Sequence, residues 1–546
     1  MVTSGISGEL PSNLFQQPER GKRCPVRLGC FKTFLRRCRE PGGRSVAGWH
    51  AGANSPERAA DCARWRAAPR RLPASASPWA IGRSWADLES TLFDSDWKIH
   101  ADRLVAAYDI VEIAKHSIAV HLSPQPRFRF YGSPQNCISI LVDMLTGNLR
   151  RAESDVRSLE TRIAERTAAK HGLGLPRARL GIYLAIKHLI QPGQNVILSP
   201  YTIHDVINMV ICAGGRPVFA DIDPATCNID PAQVAGLLDG NTGAVIVTHL
   251  HGLSCDMRAL TTLCSANRVP IIEDAAQCFG GRYESRPIGA IGDVGIFSFS
   301  VKKNVNALFG GALVTNDGVL YQRIVDELAS FEPEDTGPLL RQAVKCLLGD
   351  LTTAPLVFQG LTFPVLQYDT KNGGRLANRL MSSEKAPTLH TALPESYKRR
   401  LTAAQARAVI RQLDRVEADM QTRIAYARIY QEGLSDLLDV GLPPMREDGS
   451  HTYLDFPIRV PERQALLKHL ARKGRDVREQ WYTNTADLQC FSQYARECPN
   501  ARTTAQQVVL LPTYPSYGES EVRKNVAAIR DYYRSRDAVV PRPLQR

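Results

Sequence analysis

Between Val269 and Asp317 three short apolar runs, Val269–Ile272, Val294–Ser300 and Gly311–Thr315, end at polar groups. Each is too short for a typical helix and is bounded by turn residues, the pattern of a buried strand. Asp274 follows the first run, Ser298 lies late in the second, and Lys302 and Lys303 come directly after it. Upstream, helical and extended patterns alternate over Arg179–Ile190, Asn195–Leu198, Asp205–Ala213, Pro217–Ala220, Pro231–Leu238, Ala244–Thr248 and Met257–Asn267. That alternation predicts an α/β fold, a parallel sheet with crossover helices. In such a sheet ligands bind beyond the carboxyl ends of the strands. One carboxylate, one hydroxyl and at least one amine are therefore expected in a single cleft.

A lysine pair alone is usually a solvated loop. Beside Asp274 and Ser298 it suits pyridoxal 5'-phosphate. A lysine amine forms an imine with the aldehyde, and a carboxylate holds the pyridine nitrogen protonated so that the ring draws electrons. Hydroxyls and backbone amides take the phosphate. Chain direction alone does not choose between Lys302 and Lys303.

The stretch resembles the DegT/DnrJ/EryC1/StrS family of sugar aminotransferases. The resemblance rests on Glu273-Asp274-Ala275-Ala276-Gln277, on Phe297-Ser298-Phe299 running to Lys303-Asn304, and on Gly310-Gly311-Ala312-Leu313-Val314-Thr315-Asn316-Asp317. It extends over about 150–535 through Ala213-Gly214-Gly215-Arg216-Pro217-Val218-Phe219, His249-Leu250-His251-Gly252 and Leu401-Thr402-Ala403-Ala404-Gln405-Ala406. It implies a fold-type I transferase, with a large, mostly parallel-sheet domain and a smaller C-terminal α+β domain. Its register implies Lys303 as the cofactor lysine, Asp274 on the ring nitrogen, Gln277 beside the ring and Ser298 on the phosphate. The implied reaction moves an amino group from an amino acid, with glutamate as donor, to a nucleotide-linked keto-sugar for glycan or lipopolysaccharide synthesis. A homodimer sharing its active sites is implied as well. Family dehydratases replace the lysine with histidine, which the lysine at 303 opposes; a regulatory protein that kept the fold is the other alternative.

Four departures from the family pattern bear on the site. The usual S-G-T at the first helix is Arg177-Ala178-Arg179, so Arg179 is expected to replace it at the phosphate. The aromatic that covers the ring falls on Ile203, leaving Tyr201 or His204 as candidates. A conserved acid is lost at Leu308-Phe309-Gly310-Gly311, and the asparagine that reaches a partner subunit's phosphate falls on Lys398.

The formal charge of +13 is concentrated in residues 1–85, which hold 15 Lys/Arg against 5 Asp/Glu. With their Pro, Gly, Ala and Ser content these residues read as a disordered basic extension. The enzyme-like remainder gives no electrostatic case for a nucleic-acid partner. The 13 cysteines show no zinc spacing and no C-x-x-C pair, so neither a metal nor a disulfide framework is expected. No signal-peptide pattern and no apolar run of transmembrane length is evident, and a cytoplasmic location follows as the expectation. The expected organisation is a large domain over 86–395, with an insertion at 331–395, and a small domain over 396–546. Within the insertion, the broken apolar stretch 345–367 is expected to form a lid or a subunit contact rather than to touch a membrane.

Overall fold

The computed structural model describes residues 124–129, 133–148, 153–371 and 386–539. The basic extension, and the residues before 124, lie outside them. Seven strands form the central sheet: β1 His171–Leu175, β2 Asn195–Leu198, β3 Arg216–Phe219, β4 Thr242–Thr248, β5 Ile271–Asp274, β6 Val294–Ser298 and β7 Gly311–Thr315. Their order is β1-β7-β6-β5-β4-β2-β3. All neighbours pair in parallel except β7, which is antiparallel to both β1 and β6. Strands β4 to β7 are buried along their whole length, as a sheet covered on both faces requires.

The main helices are α1 Ser133–Leu145, α2 Glu153–Thr167, α3 Ala178–Leu189, α4 His204–Cys212, α5 Met257–Asn267, α6 Gly318–Ala329, α7 Thr336–Thr352, α8 Phe363–Lys371, α9 Ala403–Ile410, α10 Val416–Leu434, α11 Arg463–Arg472, α12 Pro499–Gln507 and α13 Glu519–Val539. Asp256 and Asp317 cap α5 and α6 by accepting backbone N–H bonds, and Thr402 with Gln405 forms a capping box on α9. A smaller antiparallel sheet, in the order β8-β10-β9, consists of β8 Phe456–Arg459, β9 Arg478–Glu479 and β10 Val508–Leu511.

The stretch from Leu401 to Leu434 forms two helices, α9 and α10, separated by a short break. Gln412 donates to Ala408 O and Asn306 O and accepts from Asn306 N, so its side chain turns inward and ties the break to the loop after β6. The packing boundary moves with it. Ala404, Ala408 and Val409 of α9 share a core with Leu159 and Ile163 of α2, while Ile424, Tyr430 and Leu434 of α10 pack with β8 and β10. Between α9 and α10, near Val416, the chain thus passes from one hydrophobic core to another. Residues 128–129 are in no strand. Instead Arg127 donates from its backbone N and its Nε to the Asp476 carboxylate, both at 2.7 Å.

Candidate active site

The carboxyl ends of β5 and β6 and the amino end of α3 open on one cavity of about 300 Å³. Asp274, Gln277, Ser298, Lys302, Lys303 and Arg179 all line it. Gly311 lets these elements meet: a Cβ there would lie 2.7 Å from Ala178 N and 2.6 Å from Phe297 O. Only a glycine allows α3 to start so close to β6 and β7. The α3 N-cap, Arg177, makes no side-chain capping bond, so the first N–H groups of the helix are left to face the cavity.

Asp274 ends β5 and is 6 % exposed. Burial pushes its carboxyl up from the usual range, opposed by the Ala276 N–H at 3.2 Å and by the positive charge of Lys303. A protonated ring nitrogen would supply the cation this buried carboxylate needs, so the residues present fit pyridoxal phosphate. The two lysines differ in surroundings. Lys302 Nζ sits 4.0 Å from the centroid of the Trp481 ring and 5.3 Å from that of Phe128. Lys303 is the lysine whose charge acts on Asp274. Asn304 donates to Phe279 O at 2.8 Å and fixes the turn that carries both.

Gln277 is held at both ends. Its Oε1 accepts from the backbone N of His251 at 2.9 Å, and its Nε2 donates to the Tyr482 hydroxyl at 3.0 Å. Arg179 lines the cavity with its guanidinium on the Asp205 carboxylate and 3.3 Å from the Tyr397 hydroxyl. Its neighbour Arg177 makes a two-point pair with Glu334 at 2.8 and 3.3 Å and lies over the Phe309 and Tyr397 rings.

Three expected residues do not line this cavity: Tyr201, His204 and Lys398. Tyr201 is fully buried behind Tyr482, its ring meeting the Tyr482 ring edge-on at 5.8 Å. The first turn of α4 turns His204 toward Asp205, 3.6 Å away, so Ile203 and Val206 face the cavity instead. Lys398 points to Glu395 at the surface, 2.6 Å away. The aromatic walls come from Phe309, Tyr397, Trp481 and Tyr482. Trp481 and Tyr482 were not singled out from sequence; an adjacent aromatic pair directly after a strand end was the available signal.

His249, just past the end of β4, is bonded through both ring nitrogens. His249 Nδ1 accepts from Cys255 N, which leaves the proton on Nε2 to donate to Glu273 at 3.2 Å. Glu273 also accepts from Gly289, Ile291 and Gly292 N–H groups, which locks the loop before β6. Among the described residues no cluster of His, Cys, Asp and Glu has metal-site form.

This fold and this site define a fold-type I, pyridoxal-phosphate-dependent aminotransferase. The profile of the DegT/DnrJ/EryC1/StrS aminotransferase family matches residues 136–334 and 372–530, and the chain belongs to that family. The match passes over 335–371, a narrower insertion than the expected 331–395. The chain is 29% identical over 388 residues to a pleiotropic regulatory protein of Geobacillus stearothermophilus, covering 69% of this chain and 89% of that one. It is 24% identical over 383 residues to GDP-perosamine synthase of Escherichia coli O157:H7, covering 69% and 90%. The solved structure of DesI in the presence of its TDP-sugar product shares the fold, with a TM-score of 0.57, 23% identity, and coverage of 76% of this chain and 95% of that one.

Proposed function

We propose that this enzyme moves an amino group from glutamate to a nucleotide-linked keto-sugar in glycan or lipopolysaccharide synthesis. The observation that carries the reading is the charge of the cavity wall. Arg177, Arg179, Lys302, Lys303 and Arg478 line it against Asp274 and Asp455. Arg177, Arg179 and Arg478 are held in place there by Glu334, Asp205 and Asp455, and cationic groups so positioned beside the two lysines suit a cofactor phosphate, the carboxylates of an amino-acid donor and the diphosphate of a sugar nucleotide. The sugar-nucleotide chemistry in the names of GDP-perosamine synthase and of the DesI complex supports the same substrate class.

In this reading Lys303 binds the cofactor aldehyde and, once released by an incoming amine, carries the proton to and from the substrate carbon. Asp274 holds the ring nitrogen protonated, so that the bound cofactor draws electrons from that carbon. The N–H groups of α3, Ser298 and Arg179 hold the phosphate, and Gln277 orients Tyr482 at the cavity wall. Lys398, half-buried on one protomer, is assigned to the phosphate of a partner's site in a homodimer. The described cysteines are free thiols, which supports a reducing, cytoplasmic compartment.

The test supplies the cofactor-loaded enzyme with glutamate and a series of nucleoside-diphosphate keto-sugars, and follows 2-oxoglutarate and amino-sugar by mass spectrometry. Release of 2-oxoglutarate with one sugar aminated supports the reading. A cofactor-bound protein that converts no amino acid would overturn it and favour a regulatory role, the function named for the Geobacillus relative.

A further inference from the structure

The residues that the family profile passes over build a bent pair of helices, α7 and α8, with two unlike faces. The inner face of α7 carries the buried Leu339, Ala343 and Cys346, which join the core that also holds Cys137 and Ile140 of α1. Beyond the bend, Phe358, Phe363 and Leu366 bury one another, and Gln367 Nε2 donates to Ala471 O of α11 at 2.6 Å. The pair is thus fastened to both cores.

Its outer face is apolar and open. Leu340, Val344, Leu348 and Leu351 recur at helical spacing on α7, and Leu361 just before α8, with Val365 and Tyr368 on α8, are exposed as well. With Leu356 at the bend, these are eight of the eleven large apolar side chains exposed among the described residues. A soluble surface seldom gathers such residues in one patch without a partner. Arg341 and Lys345 flank the stripe on α7, and Lys371 follows it on α8; all three are exposed, while Asp350 is buried and Asp369 half-buried, and the exposed Asp335 that precedes α7 is paired with Arg399 at 3.1 Å. No described helix is by itself long and apolar enough to cross a membrane. The pair Thr336–Thr352 and Pro355–Lys371 passes that composition test only together, and is bent by 69°.

We propose that the outer face of the bent α7–α8 pair docks on the surface of an anionic lipid bilayer. An apolar stripe with a basic border and no exposed acid is what lies in the headgroup region, its cations reaching back to phosphate and its tyrosine at the interface. Composition alone points to a lid or subunit contact; charge argues against a second copy on this face. A two-fold contact would set the same cations against one another with no exposed acid within α7 or α8 to match them. Gln342, on the other side of α7, lines the active-site cavity. Lipid docking therefore brings the cavity rim to within about one helix diameter, roughly 10 Å, of the bilayer.

The test is flotation of the full-length, cofactor-loaded protein with phosphatidylcholine–phosphatidylglycerol vesicles and with pure phosphatidylcholine vesicles. The wild type is expected to float with the anionic vesicles. Leu348→Glu/Leu361→Glu/Val365→Glu is expected to lose binding about tenfold or more. Arg341→Glu/Lys345→Glu is expected to lose about fivefold for each cation removed, on anionic vesicles only. Circular dichroism and the cofactor absorbance check that each variant is folded, and Leu356→Glu, at the bend, serves where the triple variant is not. A wild type that floats with neither vesicle overturns the proposal, as does a glutamate variant that floats like the wild type. A lipid-free mass that halves in the glutamate variants overturns it too, and assigns the face to a second copy.

Discussion

Gln277 donates to the hydroxyl of Tyr482 across 3.0 Å, joining the loop after β5 to the chain just past β9. The two residues lie 205 positions apart, and both line the cavity. The same amide accepts from His251 N, so the position of Tyr482 at the cavity wall is read from the end of β4. Tyr482→Phe leaves the buried Gln277 Nε2 without its acceptor, which costs about 1–3 kcal/mol. Urea unfolding is expected to show that loss, and kcat/KM for amine transfer should fall about three- to tenfold, the worth of one neutral hydrogen bond. An unchanged kcat/KM beside a full stability loss would make the bond purely structural.

The two lysines are separated by what surrounds them. With Lys302 committed to the Trp481 face and Lys303 acting on Asp274, Lys303→Ala is expected to abolish borohydride fixation of the cofactor to the chain. Amine transfer should fall by about 10²–10⁴ as the proton carrier is lost. Lys302→Ala is expected to keep fixation and to change KM. Peptide mapping of the reduced adduct reads the difference directly; label on Lys302 would reverse the assignment.

Asp274 couples the empty fold to the loaded one. Burial raises its carboxyl, so the folded chain favours the neutral form and the charge opposes folding as pH rises past the ordinary carboxylate range. Asp274→Asn is therefore expected to raise the Tm of the cofactor-free protein at neutral pH. The same change removes the partner of the ring nitrogen, so the Tm gain on adding pyridoxal phosphate should shrink. The kcat/KM should fall about tenfold to a thousandfold, in line with the one to three pKa units an adjacent carboxylate supplies. A variant whose Tm rises on cofactor addition as much as that of the wild type would contradict the pairing.

Much of this site was legible because its chemistry lies at strand ends. Asn195–Leu198, Met257–Asn267 and Gly311–Thr315 begin and end where their hydrophobic patterns place them, and those patterns bring Asp274, Ser298 and Lys303 together. The strand β1 was hidden, because Gly172 and Gly174 carry no strand signal. They are glycines for another reason: a Cβ on Gly172 would lie 2.4 Å from Glu160 O, so α2 can cross β1 only there. The ring-covering candidates failed for a rotational reason. A single step along the start of α4 separates Ile203, which faces the cavity, from His204, which faces Asp205. The adjacent aromatics Trp481 and Tyr482 were visible as a pair, but their place at the cavity depends on the docking of distant chain segments, which the local pattern does not encode. The open face of the α7–α8 pair is the same kind of fact: an apolar run reads alike whether its stripe is turned in or out.

The acid side of the stability curve is set by buried histidines. His251 is fully buried and neither ring nitrogen has a hydrogen-bond partner; burial, with Arg478 and Lys303 nearby, pushes its pKa from 6.5 down to about 3. His451, also buried, is lowered to about 4. A histidine whose folded pKa lies below its unfolded one binds fewer protons in the native state. Its contribution is therefore complete above about pH 6.5 and is lost as pH falls from there toward the folded value. Each pH unit crossed in that window costs about 1.4 kcal/mol per such histidine. The wild type is expected to lose stability between pH 7 and pH 5 faster than its carboxylates alone allow, and His251→Leu should lose about 1–2 kcal/mol less over that range. Urea midpoints at the two pH values measure this. Equal losses in wild type and variant would mean that His251 finds a proton acceptor on acidification, and the pocket it shares with Tyr201 and Tyr482 would then have to open to admit one.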